Sequence, residues 1–133
     1  MVVPLLLLLL RASPSPLDVT VTHARNDTGR IRCLLFTAPT GWPSEQLKAS
    51  ARATATISNG VAVCRFQDTG MKPFAVSVIH DENDDEKLGT NLFGVPTEGS
   101  AFSNGAKSSV FGPPTFAAAS ISPIGTLTLK LLY

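Results

Sequence analysis

From residue 17 onward, apolar and polar side chains alternate with a period of two. Leu17, Val19 and Val21 alternate with Asp18, Thr20 and Thr22. A strand sends successive side chains to opposite faces, so this run predicts a half-buried strand. Asn26, Asp27, Thr28 and Gly29 follow, all suited to a chain reversal. Ile31, Cys33 and Leu35 then alternate with Arg30, Arg32 and Leu34. Together the two runs predict a first hairpin. Ala53, Ala55 and Ile57 alternate with Arg52, Thr54 and Thr56, and Ala62, Cys64 and Phe66 with Val61, Val63 and Arg65. Asn59-Gly60 lies between these two, which predicts a second hairpin, because both central residues of such a turn need φ > 0.

Phe74, Val76 and Val78 predict a further strand, and Leu127, Leu129 and Leu131 another near the end. A weaker strand is expected over residues 118–122. Pro39 and Pro43 break the pattern, and Ser44 is placed to cap a short helix over residues 45–48. About seven short strands joined by turns predict an all-β antiparallel sandwich. Val19, Val21, Ile31, Leu35, Phe66, Val76, Val78, Leu127 and Leu129 form its expected inward set. Residues 89–115 lack a period but contain Phe93, Phe102 and Phe111, with Phe116 just beyond. Long loops in small domains are usually functional or disordered, and the aromatics favour order. One long ordered loop is therefore expected, docked by those four rings.

Composition changes this picture little. The chain has 133 residues, of which 44% are hydrophobic and 16% charged, enough for one core and too few charges for a coiled coil. A net charge of +1, with basic residues scattered singly, gives no support to nucleic-acid binding. The start differs from the rest. Residues 5–10 are all leucine, a run too short for a stable membrane span but suited to the apolar region of an export signal. The chain therefore divides into a signal-peptide-like segment, 1–16, and a domain, 17–133. The expected location is exported, periplasmic or extracellular.

Candidate chemistry is concentrated after residue 79. His80 and Asp81 are neighbours at a strand end and suggest an acid–base pair. His23, the other histidine, continues the face of Val19 and Val21 and is expected inward at a sheet edge. Asp81, Glu82, Asp84, Asp85 and Glu86 make a dense acidic run that invites a cation. Asp81, Asn83 and Asp85 sit at alternate positions, as oxygen ligands do at the start of a calcium loop. Glu86 stands where an EF-hand needs glycine, and Leu92 where it needs a bidentate glutamate. A looser calcium site would use Asp81, Asn83, Asp85, the Lys87 carbonyl and Asn91. Ser100 and Ser103 lack any nucleophile-elbow motif. Cys33 and Cys64 both fall on inward faces, where they would serve as a disulfide in an exported protein or as small buried apolar groups. No pattern for zinc accompanies them. Asn26-Asp27-Thr28 is a glycosylation sequon only in a eukaryotic secretory route.

The order of several motifs resembles a known family. Val78-Ile79-His80-Asp81, Asn83 and Lys87-Leu88 come first. Asn91-Leu92-Phe93-Gly94-Val95-Pro96-Thr97-Glu98-Gly99, Phe102-Ser103-Asn104 and Phe111-Gly112-Pro113-Pro114-Thr115-Phe116 follow. Together they resemble the bacterial secreted proteins grouped as domain of unknown function 2141, over residues 17–133. Members commonly carry an acid where this chain has Gly89. The resemblance implies a small sandwich of prealbumin- or immunoglobulin-like shape behind a signal peptide, with no established activity. Two functions are expected to compete. One is a non-catalytic module that binds a ligand, a glycan or a cell-envelope protein through the surface of residues 80–116, stabilised by calcium. Its ligand-binding or loop-anchoring residues would be His80, Asp81, Asn91, Phe93, Phe102, Ser103 and Asn104. The other is a small hydrolase with His80 and Asp81 as acid and base, like the 5-hydroxyisourate-hydrolysing branch of the prealbumin shape, whose histidine set and Tyr-Arg-Gly-Ser motif this chain lacks.

Overall fold

The computed structural model describes residues 13–85 and 98–133. Among the described residues, seven strands form two sheets that pack face to face. They are β1 (Leu17–Thr22), β2 (Arg30–Phe36), β3 (Ala51–Ala55), β4 (Ala62–Phe66), β5 (Ala75–Asp81), β6 (Ser100–Phe102) and β7 (Thr126–Lys130). One sheet has the order β4-β1-β7 and the other β3-β2-β5-β6. A short helix, α1 (Phe116–Ala119), lies outside them. Among the described residues no helix is long and apolar enough to cross a membrane.

The alternation does what its period requires. The inner faces bring together Leu17, Val19 and Val21, then Ile31, Cys33 and Leu35, then Ala62, Cys64 and Phe66, with Phe74, Val76, Val78, Leu129 and Leu131. Every member of the expected inward set is buried there except Leu127, which is half-buried and packs against the cluster. Pairing is another matter. Neither expected hairpin forms. β1 pairs with β4 and β7, whereas β2 pairs with β3 and β5, so the turn at residues 26–29 carries the chain from one sheet to the other. Asn59-Gly60 is a tight turn with both φ values positive, closed by paired bonds between Ser58 and Val61. Beyond it β3 and β4 diverge into opposite sheets. An arch between sheets and a hairpin within one share a sequence signature, since alternation specifies the buried side and not the neighbour. The two arches hold each other: the Asp27 carboxylate accepts from the N–H groups of Asn59 and Gly60. β7 runs parallel to β1, so the sandwich is not wholly antiparallel. His23 is exposed at φ 65°, where the chain has left the β conformation, and does not continue the inward face.

β2 and β5 are buried on both faces over most of their length. Trp42 covers their outer side, with ring centroids 5.4 Å from Phe36, 5.9 Å from Phe102 and 6.1 Å from Phe116. The Trp42 indole donates to the Pro114 carbonyl at 2.8 Å, and the Trp42–Pro43 peptide is cis. Phe102 and Phe116 therefore dock as expected. Phe111 does not: it stands 97% exposed at the tip of a turn closed between Ser109 and Gly112. Phe93 lies outside the described residues.

The expected loop contains an edge strand, β6, three residues long and too short to display a period. The strand expected over residues 118–122 is instead α1 followed by a single bridge from Ile121 to Phe74. Three alanines in a row favour helix, and the Thr115 side chain caps the turn by accepting from the Ala118 N–H. Residues Gln46–Lys48 form one 3-10 turn without a side-chain cap, so Ser44 does not cap a helix.

Candidate functional site

The residues singled out by chemistry lie around the end of β5 and along the flank formed by β6 and β7. At that end β5 keeps its alternation, which separates the presumed acid–base pair. His80 is opposite Ile31 of the core, while Asp81 is opposite Arg30 on the outer side. Both are 0% exposed. Adjacent strand residues point to opposite faces, so His80 and Asp81 do not act on one another.

The His80 ring is satisfied by protein at both nitrogens. The Thr28 carbonyl can only accept, so Nε2–H donates to it, at 2.8 Å. Nδ1 meets the Tyr133 hydroxyl at 2.6 Å. That hydroxyl in turn accepts from the Arg25 N–H at 3.0 Å. Burial holds the Tyr133 phenol above its ordinary range, and the nearby Glu82 charge pushes the same way. The Arg25 guanidinium sits 4.5 Å from the Tyr133 ring centroid and forms two bonds to Glu82. Its hydrogen bond holds the Glu82 carboxyl below the usual range. Gly99 makes room for the tyrosine, since a Cβ there would lie 2.5 Å from Tyr133 Cζ. The His80 N–H bonds the Gly99 carbonyl, completing this clasp.

On the outer side, Arg32 bridges Asp81 Oδ2 at 2.6 Å and Asp84 Oδ1 at 2.7 Å. The Asp81 hydrogen bond is the main reason its guanidinium pKa is raised. Arg30 approaches Asp84 at 3.6 Å. Arg25, Arg30 and Arg32 thus answer Glu82, Asp84 and Asp81 of the acidic run. Of the expected calcium ligands, Asp81 and Asp85 meet, and Glu98 joins them, with one oxygen from each within 4.8 Å of the others. These hard oxygen donors suit a cation of the calcium type. Protein donors already serve the trio: Asp81 Oδ1 accepts from the Asp85 N–H, and Glu98 from the Glu82 N–H at 2.7 Å. Asn83 turns its amide nitrogen, not its oxygen, to Asp85. Lys87 and Asn91 lie outside the described residues.

Ser103 and Asn104 are also structural. Ser103 Oγ is fully buried, accepts from the Val76 N–H at 2.9 Å and donates to the Ala119 carbonyl at 2.5 Å. Asn104, at φ 60°, donates from Nδ2 to the Ala118 carbonyl. They clamp α1 onto β5 through the turn that follows β6. Cys33 and Cys64 are buried free thiols.

A concave surface remains on the β6–β7 flank. β6 is the edge of one sheet and β7 the edge of the other, on the same side. Leu132 closes one end by pairing with Ser100. The groove between them has a volume of about 460 Å³. Ala101, Phe102, Leu129 and Leu132 supply apolar walls, and Lys107 and Lys130 supply charge. Glu98 also lines it, but bonds toward the acidic end.

One family model matches residues 19–127 and is described as an uncharacterized protein conserved in bacteria. The chain belongs to the DUF2141 family. No curated protein and no solved structure matches the chain. Tyr133, so central to the clasp, lies beyond the segment that defines the DUF2141 match. Sequence reasoning missed Tyr133, Glu98, Arg25, Arg32, Lys107 and Lys130. Only Arg32 carried a signal, as a charge at mid-strand opposite an acidic run.

Proposed function

We propose that this DUF2141 chain is an exported, non-catalytic binding module that takes an organic anion with an apolar body in the β6–β7 groove. The observation that carries the reading is the groove itself, which joins apolar walls to two lysines that form no ion pair with a described residue. Its volume falls within the range of small-molecule sites, which are mostly apolar with a few convergent polar groups. An ammonium at a rim selects for an anion, and apolar walls select for what the anion is attached to. The His80 clasp favours binding over hydrolysis, because both ring nitrogens are spent on protein partners and Asp81 faces away. Export is supported by the leucine run at residues 5–10. Fractionation of cells expressing the full chain, with intact mass of the recovered protein, tests it; uncleaved protein in the cytosol overturns it.

The binding test uses 8-anilinonaphthalene-1-sulfonate beside N-phenyl-1-naphthylamine, the same ring system without its sulfonate. The expected result is saturable one-to-one binding of the sulfonate by the folded protein. Changing Lys107→Gln and Lys130→Gln together should weaken it by about tenfold, roughly 1.4 kcal/mol. The neutral dye should be unaffected by the pair. Equal effects on both dyes, or none on the sulfonate, would overturn the reading. So would binding that appears only as the protein unfolds.

A further inference from the structure

The two cysteines take no part in the groove or the clasp, yet both lie in the middle of the core with Ala53 as a common neighbour. Cys33 is on the inner face of β2 and Cys64 on the inner face of β4, strands of opposite sheets. Cys33 is opposite Ala53 in the β2–β3 ladder, and the Cys64 thiol points to the Ala53 carbonyl, with the sulfur 3.9 Å away. Both are 0% exposed and belong to one core cluster. The sequence contains no third cysteine to compete. We propose that Cys33 and Cys64 are a modification site, joined after export into a disulfide that staples one sheet to the other.

The chemistry needs an external disulfide as oxidant, either a small molecule or a protein dithiol–disulfide carrier. The thiolate of one cysteine attacks a sulfur of that disulfide. A mixed disulfide forms and one oxidant thiol leaves. The second cysteine, as thiolate, attacks the protein sulfur of the mixed disulfide. The Cys33–Cys64 bond forms and the second oxidant thiol leaves. Two electrons pass to the oxidant, and its two sulfurs take up the two protons lost by the cysteines.

Burial decides when this happens. It pushes the Cys33 thiol well above its ordinary pKa, and the Cys64 thiol beside it adds to the shift. The folded domain therefore offers neither a thiolate nor a path for the oxidant. Before the sheets close, both sulfurs are accessible, and folding then brings them together. The bond is expected to form during folding and to resist both oxidant and reductant afterwards. The loop it closes is about 30 residues, long enough for a substantial loss of unfolded-state entropy.

The test compares two samples of the chain: one unfolded in urea and refolded with reduced and oxidised glutathione, the other folded under reduction and then given the same buffer. Both are alkylated in denaturant and weighed intact. The refolded sample should lack two hydrogens, carry no alkyl group, and melt roughly 10 °C above the reduced form. The prefolded sample should oxidise at least tenfold more slowly. Cys33→Ala and Cys64→Ala variants should carry one glutathione or one alkyl group, which identifies the pairing even where a variant folds poorly. Two alkylated thiols after glutathione refolding would overturn the proposal. So would an oxidised form that melts no higher than the reduced one, or oxidation at equal rates in the two samples.

Discussion

Ser103→Ala removes a single oxygen from the interior and tests whether that serine is a clamp. Its hydroxyl accepts from the Val76 N–H and donates to the Ala119 carbonyl, at 2.9 and 2.5 Å. Ser103, Val76 and Ala119 are all 0% exposed, so water does not reach the orphaned groups. A buried donor or acceptor left unpaired costs about 1–3 kcal/mol. Two such groups give an expected loss of about 3 kcal/mol, since the remaining backbone relaxes somewhat around a missing oxygen. For a domain of this length that corresponds to roughly 10 °C in melting temperature. In urea it corresponds to about 1.5 M in midpoint, at a slope near 2 kcal/mol/M. Trp42, the single tryptophan, packs against Phe102 beside the clamp and reports the transition by fluorescence. Asn104→Gly is the control. It deletes an exposed bond while relieving a positive φ, so its expected cost is below about 1 kcal/mol. A midpoint shift under about 0.3 M for Ser103→Ala would refute the clamp. A normal midpoint combined with lost reactivity toward a serine-directed phosphonate would make Ser103 a nucleophile rather than a clamp.

Gly99→Ala should displace the Tyr133 ring, with a loss of about 1–3 kcal/mol and a changed His80 proton resonance by NMR. Arg32→Met leaves Asp81 as an uncompensated buried charge, and urea melts should show about 3 kcal/mol lost; adding Asp81→Asn should recover part of it. Acid should act through Glu82. Its carboxyl is depressed by Arg25, so its contribution is complete above the ordinary value of 4.5 and is lost as pH falls through the lower folded value. Arg25→Gln should flatten that part of the pH–stability curve. Alkali should act through Tyr133 and, in the reduced protein, the Cys33 thiol, both raised by burial: their contributions hold below the ordinary values of 10.0 and 9.0 and fade as pH rises through the folded ones.

Which side chains are buried was legible because period two leaves little choice of face. Val19, Ile31, Cys33, Phe66, Val76 and Val78 follow from alternation alone. Which strands are neighbours was not legible. The Asn59-Gly60 turn has the geometry its sequence predicts, yet it joins different sheets, since nothing in a turn specifies whether its strands diverge a residue later. The parallel pairing of β1 with β7 joins segments more than a hundred residues apart and leaves no local mark. The acidic run was visible, but not the arginines that answer it, because Arg25 and Arg32 lie about 50 residues away in sequence. The groove was invisible for the same reason. Phe102 and Lys107 sit on one wall, Leu129 and Lys130 on the other, and neither stretch has a pattern that anticipates its partner.

The residues with the most chemical character are occupied in construction, and this has a consequence for the groove. His80 and Gly99 fix Tyr133, and Leu132 is bonded to Ser100, so the wall after β7 is held at one end. Ser103 and Asn104 fix the turn after β6 onto α1, so the opposite wall is held as well. Lys107 lies three residues past Asn104, and Lys130 three before Tyr133; each follows or precedes an anchored residue. A site whose walls are set before the ligand arrives loses less entropy on binding than one that must be ordered by it. If the groove binds as proposed, the buried histidine, serine and tyrosine bear on that binding without touching a ligand. Their chemistry is spent in holding two edge strands of different sheets at a separation that the sheets, which among the described residues have no backbone ladder across that flank beyond Ser100 and Leu132, do not themselves define.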